Sequence, residues 1–155
     1  MEKLSSMISE LHEVDRSAKN YASQFESKLS EIIDLRSPEI VVPLLELLDD
    51  EAPYDEVMFS IIHGIEIFDD TTYVHEILRG AKDLCWRAPR WASILFMRIL
   101  NTDSSRHELV RQVRDTDIET KKAVKELMEK INARSVQFMA KTTPVIVATS
   151  KKEPR

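Results

Sequence analysis

Residues 54–68 read Tyr-Asp-Glu-Val-Met-Phe-Ser-Ile-Ile-His-Gly-Ile-Glu-Ile-Phe, and in them Val57, Met58, Ile61, Ile62, Ile65 and Phe68 return every three or four places. That period marks one face of an amphipathic α-helix, and no other segment of the chain shows it so cleanly. The run Asp49-Asp50-Glu51-Ala52-Pro53 separates it from a preceding helix. The start of that earlier helix is also plain. Ser37 caps it and Pro38 sits in the first turn, where a missing N–H costs nothing. Its residues Ile40, Val41, Val42, Leu44, Leu45, Leu47 and Leu48 are apolar nearly all round. Such a helix is expected to be packed by neighbours on several sides, with Pro43 as a candidate bend.

Helical signals continue outward from this pair. Asp70-Thr71-Thr72 supplies a cap for Tyr73, Val74, Ile77, Leu78, Ala81 and Leu84, and Cys85 to Pro89 reads as a short connector. Trp91, Ala92, Ile94, Leu95, Phe96, Met97, Ile99 and Leu100 make a second helix that is apolar on most sides. Asp103 or Ser104 caps a shorter helix to about Arg114. Asp117 caps a last long one through Val124, Leu127, Met128, Ile131, Ser135 and Phe138. Toward the N-terminus, Leu4, Leu11, Ala18, Phe25 and Ile32 recur every seven residues. This stripe reads either as one long helix or as two, with Asp15, Arg16 and Ser17 at the break. Residues 140–155 hold β-branched residues with no partner strand elsewhere and read as a flexible tail. The expectation is an all-α chain of about seven helices in antiparallel hairpins, forming a HEAT-like short solenoid or an orthogonal bundle. A single domain would cover 1–139 and the tail 140–155.

Composition bounds the function. The chain has 155 residues, 43% of them hydrophobic, enough for one core. Two glycines are too few for a fold built on tight hairpins or a phosphate-cradling loop. Charge interrupts every apolar stretch before the roughly 18 to 20 residues of a bilayer-spanning helix, and Met1 leads into Glu2 and Lys3 rather than an export core. No membrane partner is expected. The lone Cys85 forms no internal disulfide, which fits the cytoplasm. The net charge of −5 hides an asymmetry: 39–84 carries 12 acids against 2 bases, whereas 85–155 carries 8 acids against 15 bases. By sign, the middle of the chain attracts a basic partner.

Catalytic groups do not converge. His63 and Glu66, three residues apart, could approach one helix face, but a metal site needs further ligands. Cys85 with His63 or His75 would make a nucleophile and base, yet one cysteine beside Trp86 at a helix end reads more simply as packing. No enzyme activity, metal or cofactor is expected. Arg106, Arg111, Arg114, Lys121, Lys122, Lys125 and Lys130 are interleaved with Glu108, Asp115, Asp117, Glu119, Glu126 and Glu129, an ordinary solvated face. With a pI near 5.4, direct nucleic-acid binding is not expected.

The acids are more informative. Asp49, Asp50, Glu51, Tyr54, Asp55 and Glu56 surround one interhelical turn, and the antiparallel path brings the 85–89 connector, with Trp86 and Arg87, back beside it. Asp69 and Asp70 lie at the far end of the 54–68 helix, about 20 Å away. Acids at helix N-termini alone would account for Asp55 and Glu56. They account less well for Asp49 and Asp50, which end a helix whose dipole disfavours negative charge.

Val42-Pro43-Leu44-Leu45, His63-Gly64-Ile65-Glu66, Ala88-Pro89-Arg90-Trp91-Ala92 and Arg98-Ile99-Leu100-Asn101 resemble segments of the immunity proteins of bacterial polymorphic-toxin and contact-dependent growth inhibition systems, especially the family called immunity protein thirty. The resemblance spans somewhat under half of the chain and rests on packing residues. It implies a cytoplasmic inhibitor that binds one cognate toxin and covers its active site or substrate groove, with a basic nuclease domain as the expected target. Asp49, Asp50, Glu51, Tyr54, Asp55, Glu56, Asp69, Asp70 and Trp86 are then the expected partner-binding residues, from the acidic rim and the aromatic residues beside it and not from the resemblance. The other reading is a helical-repeat adaptor with no toxin partner. Oligomeric state is not legible.

Overall fold

Asp15 accepts hydrogen bonds from the amide and the hydroxyl of Ser17, at 2.9 and 2.7 Å, in a computed structural model that describes residues 2–151. This local turn competes with helix and divides the N-terminal stripe into α1 (Glu2–His12) and α2 (Tyr21–Ile33). Ser17 is therefore bound to Asp15 and is not a helix cap. Arg36 follows α2 with φ 51°, turning the chain toward the next element.

Ser37 caps as expected, its hydroxyl accepting from the Glu39 amide at 3.3 Å. The helix that follows is shorter than its apolar run. A 3₁₀ turn (Pro38–Ile40) leads into α3 (Val41–Leu45), and 3₁₀-type bonds from Leu47 to Leu44 and from Leu48 to Leu45 finish the segment. With prolines at 38 and 43, two donors are missing from one short stretch, which favours tightened turns. Then come α4 (Asp55–Ile65), α5 (Asp70–Arg87), α6 (Pro89–Asn101), α7 (Asp103–Val113) and α8 (Ile118–Arg134). Asp69, rather than Asp70 or a threonine, caps α5 by accepting from the Thr72 amide at 2.9 Å. Helix α5 runs through the expected 85–89 connector, leaving only Ala88 between α5 and α6.

The expected tail is corrected over most of its length. After a 3₁₀ turn (Val136–Phe138), α9 (Met139–Thr149) packs against α7 and α8 and buries Thr142, Val145, Ala148 and Thr149. Thr142 Oγ1 bonds Asn132 Oδ1 at 2.6 Å, and Lys121, 6% exposed, donates from Nζ to the Lys151 carbonyl at 2.8 Å. A cation at the C-terminal end of α9 meets the negative pole of its dipole. Residues 152–155 of that expected tail lie outside the described residues.

Nine α-helices thus stand among the described residues, with no strand, where about seven were expected. The excess comes from the divided N-terminal stripe and from α9. Helices α3, α5, α7 and α9 pack in succession, while side-chain contacts join the start of α4 to the start of α6 and the end to the end, so that the two run in the same direction. Helix α8 also packs on α5, closing the array on that side. Both glycines sit at helix crossings. A Cβ on Gly64 would come within 2.6 Å of Ile33 Cδ1 and one on Gly80 within 3.0 Å of Leu45 Cδ1, so their absence lets α4 approach α2 and α5 approach α3.

Candidate functional site

The acidic edge lies where α3 ends and α4 begins. Asp50 spends both carboxylate oxygens on the first turn of α6, accepting from the Arg90 amide at 3.0 Å and the Trp91 amide at 3.2 Å. It is a helix cap delivered from 40 residues away. Asp49 accepts from the Glu51 amide at 2.9 Å and pairs with Arg16 at 3.0 Å. Partial burial works against its ionisation, but that amide and Arg16 hold its carboxyl below the usual carboxylate range. Asp55 is gripped by both guanidinium nitrogens of Arg90, which likewise lowers its pKa. The difficulty of placing Asp49 and Asp50 at a helix C-terminus is thereby resolved. Each has a structural partner that only the tertiary fold supplies.

What remains is still acidic. Glu46, Glu51 and Glu56 have no cation within 4 Å among the described residues. Between residues 46 and 56 stand six carboxylates, against three arginines brought to the edge, Arg16, Arg87 and Arg90, a net of −3. Tyr54, 45% exposed, lies with its ring 5.9 Å from that of Tyr21. A pocket of about 260 Å³ opens beside it between the α1–α2 hairpin, α3 and α4, with Glu46, Asp49 and Arg87 in its wall. Arg87 stands at this edge as the chain path predicts, whereas Glu46, Arg16 and Arg90 are members of it that the sequence reading did not single out.

Trp86 stands elsewhere than expected. Its neighbour Arg87 reaches back to α3, donating to the Leu45 carbonyl at 2.9 Å and to that of Leu48. Trp86 itself lines a groove on the other side of α5, against α8. The chain path does return to the acidic turn, but one helical step rotates Trp86 away from it. Asp69 and Asp70 are separated from the edge by the length of α4, about 16 Å, and Asp69 is engaged in capping α5.

The candidates for chemistry do not assemble. Glu66 is held by Arg98 at 2.8 and 2.9 Å, while His63 stacks on Phe59 at 6.2 Å. Burial pushes the Cys85 thiol up to about 11, which suppresses the thiolate a nucleophile would need. Among the described residues no group of three or more His, Cys, Asp or Glu is placed to hold a metal ion. Three of the cations of α7 and α8 are engaged within the fold: Arg106 pairs with Asp103, Arg111 with Glu108, and Lys121 is buried. No helix of the described residues is long and apolar enough to cross a membrane.

Against known families, residues 6–109 match the model of Immunity protein 30. The chain belongs to this family. No curated protein and no solved structure matches it. Membership in Immunity protein 30 places the chain among proteins that act against a toxin. Two of the segments that carry its resemblance to the family meet in three dimensions. Glu66 binds Arg98, and Trp91 is fully buried edge-on to Phe59, with ring centroids 5.1 Å apart. Leu45 packs under Gly80. These residues build the body shared by α3 to α6. Helices α8 and α9 lie beyond the match, so this Immunity protein 30 chain carries its last two helices outside the residues the family model covers.

Proposed function

We propose that this Immunity protein 30 chain protects a bacterial cell by binding one cognate toxin domain in the cytoplasm, and that the acidic edge receives a basic face of that toxin. The observation that carries the reading is the family match over residues 6–109, joined to an edge whose net charge stays at −3 after every arginine folded onto it is counted. A toxin that handles nucleic acid needs a cleft lined by cations, and carboxylates held against such a cleft stand in for phosphates. Glu46, Glu51 and Glu56 supply the free charge and Tyr54 an aromatic contact. Asp49, Asp50 and Asp55 hold the edge in shape from behind. Opposite charge speeds the encounter, and exclusion of substrate by the bound protein ends toxicity without chemistry by the inhibitor.

The test is capture of the tagged chain from its native cells at moderate salt, with the bound protein identified by mass spectrometry. A basic toxin domain whose activity returns on separation is the expected result. Recovery of a stable housekeeping assembly in its place would overturn the reading in favour of an adaptor.

A further inference from the structure

Trp86 is 89% exposed, the most exposed large apolar side chain among the described residues, while Trp91, five positions on, is fully buried. It stands at the mouth of a groove of about 510 Å³ between α5 and α8, lined by Cys85, Pro89, Ala123 and Leu127. The rim is charged. Lys82 is paired with Glu119 across the groove, whereas Lys122 and Lys130 have no carboxylate within 4 Å among the described residues and share only Glu126 between them along the helix. The groove therefore carries a small positive excess directly behind the acidic edge. Helix α5 separates the two surfaces, with Arg87 turned toward α3 and Trp86 toward α8. The wall supplied by α5 lies within residues 6–109, and the wall supplied by α8 lies beyond them.

We propose that this groove receives a segment of the toxin bearing a large apolar side chain flanked by carboxylates, and that Trp86 is the anchor of that contact. The inference rests on the immunity reading and adds a second surface to it. Exposed tryptophan is costly in solvent and is the side chain most enriched at the energetic centre of protein interfaces. The lysine stems extend the apolar cover while their ammonium groups meet the carboxylates of the incoming segment. Opposite signs on the two sides of α5 fix direction: a toxin docks with its basic face on the α3–α4 edge and its acidic segment over α8, and the reverse orientation sets like charges together.

The chain has two tryptophans, so labelling it with 5-fluorotryptophan gives two fluorine resonances, and Trp86→Phe assigns them. With the unlabelled toxin domain identified by the capture above, the Trp86 resonance is expected to shift and lose its solvent-isotope effect on binding. Trp86→Ala is expected to weaken binding at least 30-fold, mainly through faster dissociation, and Lys122→Glu with Lys130→Glu about tenfold. These side chains are exposed, so circular dichroism and the urea midpoint should match the parent. If the toxin binds at saturation while Trp86 stays solvent-exposed and Trp86→Ala changes the affinity less than threefold, the groove is not the contact, although the immunity reading stands. A shift of the Trp86 resonance on concentrating the chain alone would assign the groove to a second copy and overturn the proposal. If no toxin binds at all, the immunity reading fails, and this proposal with it.

Discussion

Arg90, in the first turn of α6, holds Asp55, in the first turn of α4, through both terminal nitrogens at 2.6 and 3.2 Å. The same residue offers its amide to Asp50 and lies over the ring of Trp91 at 4.9 Å. The acidic edge and the buried body of the fold are thus joined at one side chain, and the edge acids divide into those bound inward and those facing outward.

That division predicts unequal effects of charge reversal. Glu51→Lys with Glu56→Lys should slow toxin association by about tenfold or more at low salt and flatten its dependence on ionic strength, while stability falls by no more than about 1 kcal/mol as a cation replaces an acid in the first turn of α4. Stopped-flow association at two salt concentrations checks this. Equal rates for parent and variant at low salt would remove the edge from the encounter.

Asp50 is expected to act on stability first. Asp50→Ala strips the first turn of α6 of its acceptor and should cost about 1–2 kcal/mol, read as a lower urea midpoint at constant slope. A midpoint equal to that of the parent would mean that water replaces the carboxylate at no cost.

Removing residues 139–155 tests α9. A flexible tail would leave stability untouched. A helix that buries Val145 and Ala148 against α7 and α8 should take with it about 3 kcal/mol or more. Thermal and urea unfolding of the shortened chain distinguish the two.

The pH dependence follows from carboxyls held below their ordinary range. The Thr72 amide lowers Asp69, the Thr120 amide lowers Asp117 and Arg90 lowers Asp55. For acids with a depressed folded pKa, the stabilisation is fully present above the unfolded value near 4 and is lost as pH falls through the folded value. The urea midpoint should hold from about pH 7 to 5 and drop below about pH 4. A midpoint that rises on acidification would contradict the caps and the ion pair together.

Where periodicity and caps agree, the sequence announces the structure. Helices α4, α6 and α8 follow from Met58-Ile62-Ile65, from Pro89 with Trp91-Leu95-Ile99, and from Asp117 with Val124-Met128-Ile131. Helix α9 is not legible, because Thr142-Thr143-Pro144-Val145-Ile146-Val147 has little intrinsic preference for helix. It is held by packing, and Thr143 Oγ1 bonds the Met139 carbonyl at 2.7 Å in the turn that Pro144 weakens. The edge is half legible. The acids can be counted, but which of them are free depends on Arg16 and Arg90, which lie 33 and 35 residues from their partners Asp49 and Asp55. The side of α5 from which Trp86 projects is set by the continuation of that helix to Arg87, which a reading of 85–89 as connector could not supply.

The central claim is protection by binding, and growth of cells producing the captured toxin domain, with and without the chain, tests it most directly. Survival restored by the parent chain, with a stable complex recovered from the surviving cells, is the predicted result. Cells that die equally with and without a folded, abundant chain would contradict the account.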